Sequence, residues 1–427
     1  MTEMWPRRLV AGAVLGRLVL SALPIVVAAL TGARHDPTAH WDALYYARLA
    51  AHGYGSMRGS DRGGLAFFPL FPLVAAGPLR LGLPPAVAVV LVADLCALVA
   101  TVALALLVAR EWGPVVAARA VVLFLTVPAS FFMSVGYSEG PFLALSLCAF
   151  VALRRHRWIV AALLCGLAAV TRPTGVALAV PYLVEWWCVR RALAAHTSTG
   201  GTGRVFAVRL PAALRGETRK NGGETDGMAT TARGAAGARL AAQRALDLHA
   251  LAPLVLLVLP LALYALYDWR LGVGPFPYLV VERDIWKQSW NWPWVTAAKQ
   301  IAVLGTLGRS GLAPVGLLNL VSLLLAAPLL VAALVTLPAA YRAYALVSTA
   351  LVAAVDSALP FYVAGHAAHA YSIPLTSTHR LFLAAFPLLI AAATLIRRTG
   401  LLVVVAATLF LGQLLVATLF VHDVFAG

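Results

Sequence analysis

Residues Met1 to Ala33 read MTEMWPRRLVAGAVLGRLVLSALPIVVAALTGA, with Arg7 and Arg8 placed ahead of a long apolar run. That run, about 20 residues, exceeds the roughly 7 to 15 of a secretory h-region and matches the length needed to cross a bilayer. It is expected to be an uncleaved first transmembrane helix with a cytoplasmic N-terminus, because basic residues flank spans on that side. The rest of the chain agrees. Of 427 residues, 61% are hydrophobic and 12% charged, with a mean hydropathy of +0.86. Soluble domains carry roughly 25% charged residues, so the composition is that of an integral membrane protein.

The formal net charge of +16 does not indicate nucleic acid, since the basic residues fall in short clusters between apolar segments and no nucleic-acid motif accompanies them. Cys96, Cys148, Cys165 and Cys188 lie in apolar segments without metal-ligand spacing, so buried thiols are expected. Apolar runs and basic clusters together predict an all-α, polytopic protein with about 11 spans. Residues 1–189 would form an N-terminal transmembrane module and 249–427 a C-terminal one. Between them, residues 190–248 hold ten Lys and Arg against four Asp and Glu and few large apolar side chains, which predicts a basic, disordered cytoplasmic loop.

The first outer segment, 31–84, holds the densest chemistry. His40 to Tyr54 reads HWDALYYARLAAHGY, and in a helix Asp42, Tyr45, Tyr46 and Leu49 fall at i, i+3, i+4 and i+7. One carboxylate then shares a face with two phenols on an interfacial helix. Downstream, AFFPLFPL (Ala66–Leu73) carries Pro69 and Pro72, which are expected to forbid a regular helix there. The turn GYSEG brings Glu139 out on the same side as Asp42. Between the basic clusters Arg154–Arg157 and Arg190/Arg191, two short helices joined at TRPTG (Thr171–Gly175) would hold Arg172 inside the membrane's thickness, where it needs an anionic partner or a wet cavity. A second outer segment, Val281 to Gln300, carries Trp286, Trp290, Trp292 and Trp294, either an interfacial belt or an acceptor groove beside Glu282, Asp284 and Gln288. A late loop, SIPLTSTHR, places His379 and Arg380 at the mouth of the penultimate span.

These residues suit transfer of a sugar from a lipid phosphate to a hydroxyl. An inverting displacement needs one general base, for which Asp42 is the candidate. The leaving polyprenyl monophosphate needs fixed cationic donors, and Arg172 and Arg380 can supply paired N–H groups. Glu139, His40, Trp41, Tyr45, Tyr46, His52 and His379 complete the candidate substrate-binding set. No metal is expected, since a monophosphate demands less neutralisation than a nucleotide diphosphate and the outer segments contain no DxD. Each residue also has a structural reading: Asp42 capping its helix or pairing with Arg48, Glu139 complementing a helix dipole, the arginines anchoring at headgroups, the histidines and tyrosines packing.

HWDALYYARLAAHGY, AFFPLFPL, PASFFMSVGYSEGPF and AAVTRPTGVAL, in that order, resemble the mannosyltransferase family that adds the second mannose of glycosylphosphatidylinositol, together with its bacterial relatives. The resemblance is strong over residues 36–182 and looser at PLTSTHRLFLAAFPL. It implies a GT-C architecture, a polyprenyl-phosphate-mannose donor, and an extracytoplasmic glycolipid or glycan acceptor, with Asp42 as the loop acid and Glu139, Arg172 and Arg380 in matching elements. Pro173 and Thr174 depart from the Ser-Asn of eukaryotic members. A carrier or flippase of a lipid-linked sugar, and a transferase of another sugar such as arabinose, are the alternatives.

Overall fold

The computed structural model describes residues 4–33, 36, 40–196, 241, 243–307, 313–358, 360–362, 370–422 and 424. They form an all-α protein built around the 28-residue helix Pro85–Trp112, which packs against Met4–Ser21, Asp42–His52, Leu70–Arg80, Pro114–Thr126 and Glu139–Leu153. Among the described residues, five helices are long and apolar enough to cross a membrane: Arg7–Thr31, Pro85–Trp112, Gln243–Arg270, Ala313–Thr336 and Thr399–Val421. Two bent pairs raise this to seven, Pro114–Thr126 with Pro128–Ser134 (74°) and Thr378–Ala385 with Pro387–Leu395 (77°). The other segments of the expected eleven form the helices Glu139–Leu153, Trp158–Ala169, Ala179–His196 and Ala339–Ala353, which do not meet that test. The protein is a multi-pass membrane protein of apolar helices.

Both bends fall at a proline, where a missing N–H and a ring clash interrupt the helical ladder. Their consequence is positional, since one bent arm carries Phe132 and the other carries Arg380.

The two modules expected from sequence share one apolar core. It runs from Ala97 through Leu178 and continues with Leu257, Ala333, Tyr341, Phe386 and Ile390. A second core seats the first outer segment on one end of Pro85–Trp112, joining Tyr46, Leu49, Tyr54, Phe67 and Phe71 to Val89, Val170 and Val281. The basic loop expected at 190–248 falls for the most part, 197–240 and 242, outside the described residues.

Two local expectations are corrected. Leu70–Arg80 is α-helical despite Pro72, because Pro72 lies in the first turn, where the missing N–H would have had no intrahelical partner. Only Ala66–Pro69 runs outside regular α-helix. The apolar run over 343–364 predicts one continuous span, but the helix there ends at Ala353 and the chain continues as strand Val355–Ser357, antiparallel to Gln288–Trp290 with Gln288 opposite Ser357; residues 359, 363 and 364 of that run lie outside the described residues. Asp356, bonded to Asn291 at 3.2 Å and paired with Lys299, lies in that strand, three residues past the end of the helix. Pro360–Tyr362 then pairs with Ala370–Ser372.

Candidate active site

Asp42 opens the helix Asp42–His52, and Arg380 lies in the short helix Thr378–Leu381. Each helix follows a non-glycine residue with left-handed φ, Trp41 at +51° and Ser377 at +59°. Backbone strain of this kind collects where a structure fixes side chains for function. The two side chains meet, since Arg380 Nη1 donates to Asp42 Oδ2 at 2.6 Å across 338 residues.

Glu139 joins them. Its Oε1 is 3.3 Å from Arg380 Nε and 2.5 Å from Arg172 Nη1, and Arg172 Nη1 also donates to Ser138 Oγ at 3.2 Å. Two carboxylates and two guanidiniums from four separate segments thus form one chain, Asp42–Arg380–Glu139–Arg172. The Arg380 guanidinium also sits over the rings of Tyr137 (5.0 Å) and Phe132 (5.5 Å), both brought there by the turn after the first bend. Within this group Glu139 is 4% exposed and Asp42 22%, so the cluster opens at the Asp42 end.

Close backbone packing fixes these positions. A Cβ on Gly140 would lie 2.6 Å from Ala93 O, so only glycine lets the Glu139 helix lie against Pro85–Trp112. A Cβ on Gly175 would lie 2.4 Å from the backbone of Ala168, so the turn holding Arg172 folds flat onto the preceding helix. The partner expected for a membrane-depth Arg172 is Glu139.

The remaining candidates divide. Tyr46 is buried against Phe67 and Phe71 (4.9 and 4.7 Å), with Arg172 and Ser138 facing its phenol, and burial raises its pKa well above the usual range. Tyr45, half-buried, stacks on Phe67 at 5.0 Å. His379 is buried, its backbone N–H and Nδ1 both meeting Asn319 Oδ1 (2.9 and 2.7 Å). Asn319 can only accept there, so Nδ1 carries the proton and His379 pins the Arg380 turn to the helix Ala313–Thr336. His40 lies edge-on to Phe420, and Trp41 is exposed. His52 is exposed at the far end of its helix, about 15 Å from Asp42 by helical rise. Arg48 pairs with Asp61 rather than with Asp42.

Ser138, Tyr137, Phe132 and Asn319 belong to this neighbourhood without having been expected as site residues, and Glu282, expected only beside an acceptor groove, joins them. The first three lie inside the quoted PASFFMSVGYSEGPF, and Asn319 is a polar side chain in the apolar run LLNLV, which is itself a signal. Glu282 is held at about 7, lifted first by burial and then by Asp42, against the opposing pull of Arg380 and Arg172. Among the described residues no three His, Cys, Asp or Glu side chains gather as a metal site. What the cluster can hold is an anion shared by the guanidiniums, because neither Nη2 of Arg172 nor Nη2 of Arg380 bonds a described residue of the cluster.

The opposite end of the Glu139 helix carries a second ionic group. Arg154 grips Glu111 with two bonds (2.8 and 3.0 Å) and Glu185 with one (2.6 Å).

No curated protein and no solved structure matches the chain. Residues 8–190, which hold Asp42, Glu139 and Arg172, match the family described as mannosyltransferase (PIG-V), and over that stretch this membrane protein is similar to that family.

Proposed function

We propose that the protein transfers mannose from polyprenyl-phosphate-mannose to a hydroxyl of a lipid or glycan acceptor, with inversion at the anomeric carbon. The observation that carries this reading is the Asp42–Arg380–Glu139–Arg172 chain, which sets a carboxylate at the open end of a pair of arginines. The acceptor oxygen bonds to the anomeric carbon as the bond to the phosphate oxygen breaks. Asp42 takes the acceptor's proton, and the phosphate leaves with the bonding electrons as a polyprenyl monophosphate. Arg172 and Arg380 stabilise the charge growing on that phosphate through their remaining N–H groups. A phosphate drawing on Arg380 takes up its N–H groups and leaves Asp42 Oδ2 free to accept from the acceptor hydroxyl as the donor binds. Glu139 holds the two guanidiniums at a fixed separation. In this reading the N-terminus is cytoplasmic, the cluster faces the extracytoplasmic side, and two arginines serve in place of a metal.

The test is transfer of radiolabelled mannose from polyprenyl-phosphate-mannose to membrane lipids by purified wild type and Asp42→Asn in one bilayer, with chelator present. Wild type should transfer, and Asp42→Asn should fall by roughly a hundred- to ten-thousand-fold while still binding the donor. Equal transfer by both removes Asp42 as the base. Donor binding without transfer by wild type would favour a carrier.

A further inference from the structure

Glu282 is the one carboxyl facing the ion cluster that no described cation bonds. Its Oε2 is buried and meets no hydrogen-bond partner among the described residues. The same holds for the indole Nε1 of Trp286, one helical turn further on. Both follow from the helix Pro277–Asp284, whose turn continues past its end through the Ile285 and Trp286 N–H bonds to Val281 O (2.9 and 3.0 Å). Val281 anchors that turn in the core shared with Tyr46 and Phe67. The Trp286 ring lies edge-on to Tyr45 (6.1 Å) and Phe67 (6.5 Å), and a Cβ on Gly63 would touch it at 3.4 Å. Trp286 is therefore held in place by the same outer segment that carries Asp42.

A buried carboxylate oxygen and a buried indole N–H without partners are costly unless a ligand satisfies them. They ask for complementary groups, a donor for Glu282 and an acceptor for Trp286. A hydroxyl is both, and a ring bearing several hydroxyls offers the two at once beside the aromatic faces of Trp286 and Tyr45. Glu282, Trp286 and Tyr45 are each only half-buried as whole residues, so the group lies at the lip of the cluster and a ligand can reach it. The charged groups facing Glu282 are Asp42, Arg380 and Arg172, the residues assigned above to base and phosphate. A sugar attached to a phosphate at the arginines would project toward them.

We infer that Glu282 and Trp286 form a hydroxyl-recognition subsite that reads the sugar of the lipid-linked donor, an inference that rests on the donor reading given above. Glu282 accepts from a ring hydroxyl, Trp286 Nε1 donates to one, and neither contacts the phosphate. The subsite thus separates recognition of the sugar from recognition of the lipid phosphate.

Equilibrium binding of radiolabelled polyprenyl-phosphate-mannose and of the same polyprenyl phosphate without sugar tests this, using full-length protein in nanodiscs at pH 8. Wild type should bind the mannosylated lipid more tightly. Glu282→Ala should weaken that lipid on the order of tenfold to a hundredfold and leave the bare phosphate unchanged, because a hydrogen bond to a charged group is lost. Trp286→Phe, which keeps the ring and drops the N–H, should lose roughly three- to tenfold on the mannosylated lipid alone. Variants that discriminate as wild type does would overturn the subsite, even if transfer fell, because the contact would then belong to the acceptor. Equal loss of both lipids would make Glu282 a support for the arginines and also overturn it. Wild type binding neither lipid would instead overturn the donor reading itself, together with everything that rests on it.

Discussion

At the scale of single residues, Glu282 carries a measurable cost. Its carboxyl is held at about 7, against the ordinary 4.5, chiefly by burial. Between those two values the folded chain binds a proton that the unfolded chain has released, so stability falls as pH rises through that window. Below about 4.5 both states are protonated and the penalty vanishes; above about 7 it is complete. Glu282→Gln should therefore unfold at nearly the wild-type temperature near pH 4.5 and at a higher one at pH 8, a gap of about 2 to 3 kcal/mol. Thermal unfolding in detergent at the two pH values measures it, and a gap that stays constant would show that the folded protein solvates or pairs this carboxylate. Asp42, Glu139, Arg172 and Arg380 were legible in the sequence, because charged residues are scarce in apolar surroundings and each needs a reason to be there. Glu282 was harder to single out, sitting among Arg283, Asp284 and Lys287 as one more charge in an outer loop. What sets it apart is that Arg283 and Asp284 after it are exposed while its Oε2 is buried, which no spacing rule reveals.

Among the elements, the turn Thr171–Gly175 is the most exacting. Arg172 has extended backbone and is followed at once by the 3₁₀ turn Pro173–Leu178, so its direction is set by how closely Gly175 approaches Ala168. Gly175→Ala places a methyl 2.4 Å from fixed backbone, where no flexible side chain can give way. The turn must move outward and take Arg172 from Glu139. This substitution should cost about 1 to 3 kcal/mol of stability and most of the mannosyl transfer, whereas Gly77→Ala, in a helix with open space around its Cβ, should leave transfer unchanged and stabilise by up to about 1 kcal/mol. Melting temperature and transfer rate for the two variants make the comparison. Short helices around this turn could be read from the spacing of basic clusters, because only two short helices fit between them. The strand pairs at 288–290 and 355–357 could not, since each strand is three residues long and its partner lies more than 60 residues away. Pro72 is the opposite case, since a proline that breaks a helix interior is tolerated in a first turn and its position within the element is not visible in the spacing.

For the whole molecule, the site belongs to neither half. Asp42, Glu139 and Arg172 precede the basic loop, while Glu282, His379 and Arg380 follow it. Residues 1–220 alone, which contain all of the family-matching stretch, should show no transfer in membranes, and co-expression with residues 221–427 should restore it. Transfer by the first piece alone would show that Arg380 is dispensable. Helical class and apolar segments were readable from composition, since a bilayer leaves few options for an apolar chain. The pairing of position 42 with position 380 was not, because no periodicity extends across a chain of that length.

The ion pair between those positions also sets an order of events. A ribosome threading this chain into the membrane delivers Asp42 338 residues before Arg380, and Glu139 and Arg172 soon after the first of them. Until the penultimate apolar segment is made, the acid has no cation to meet it and the growing protein has only one of the two guanidiniums. If the cluster acts as proposed, unfinished chains hold half of the arginine pair and should not consume lipid-linked sugar, so that the last part synthesised completes the first.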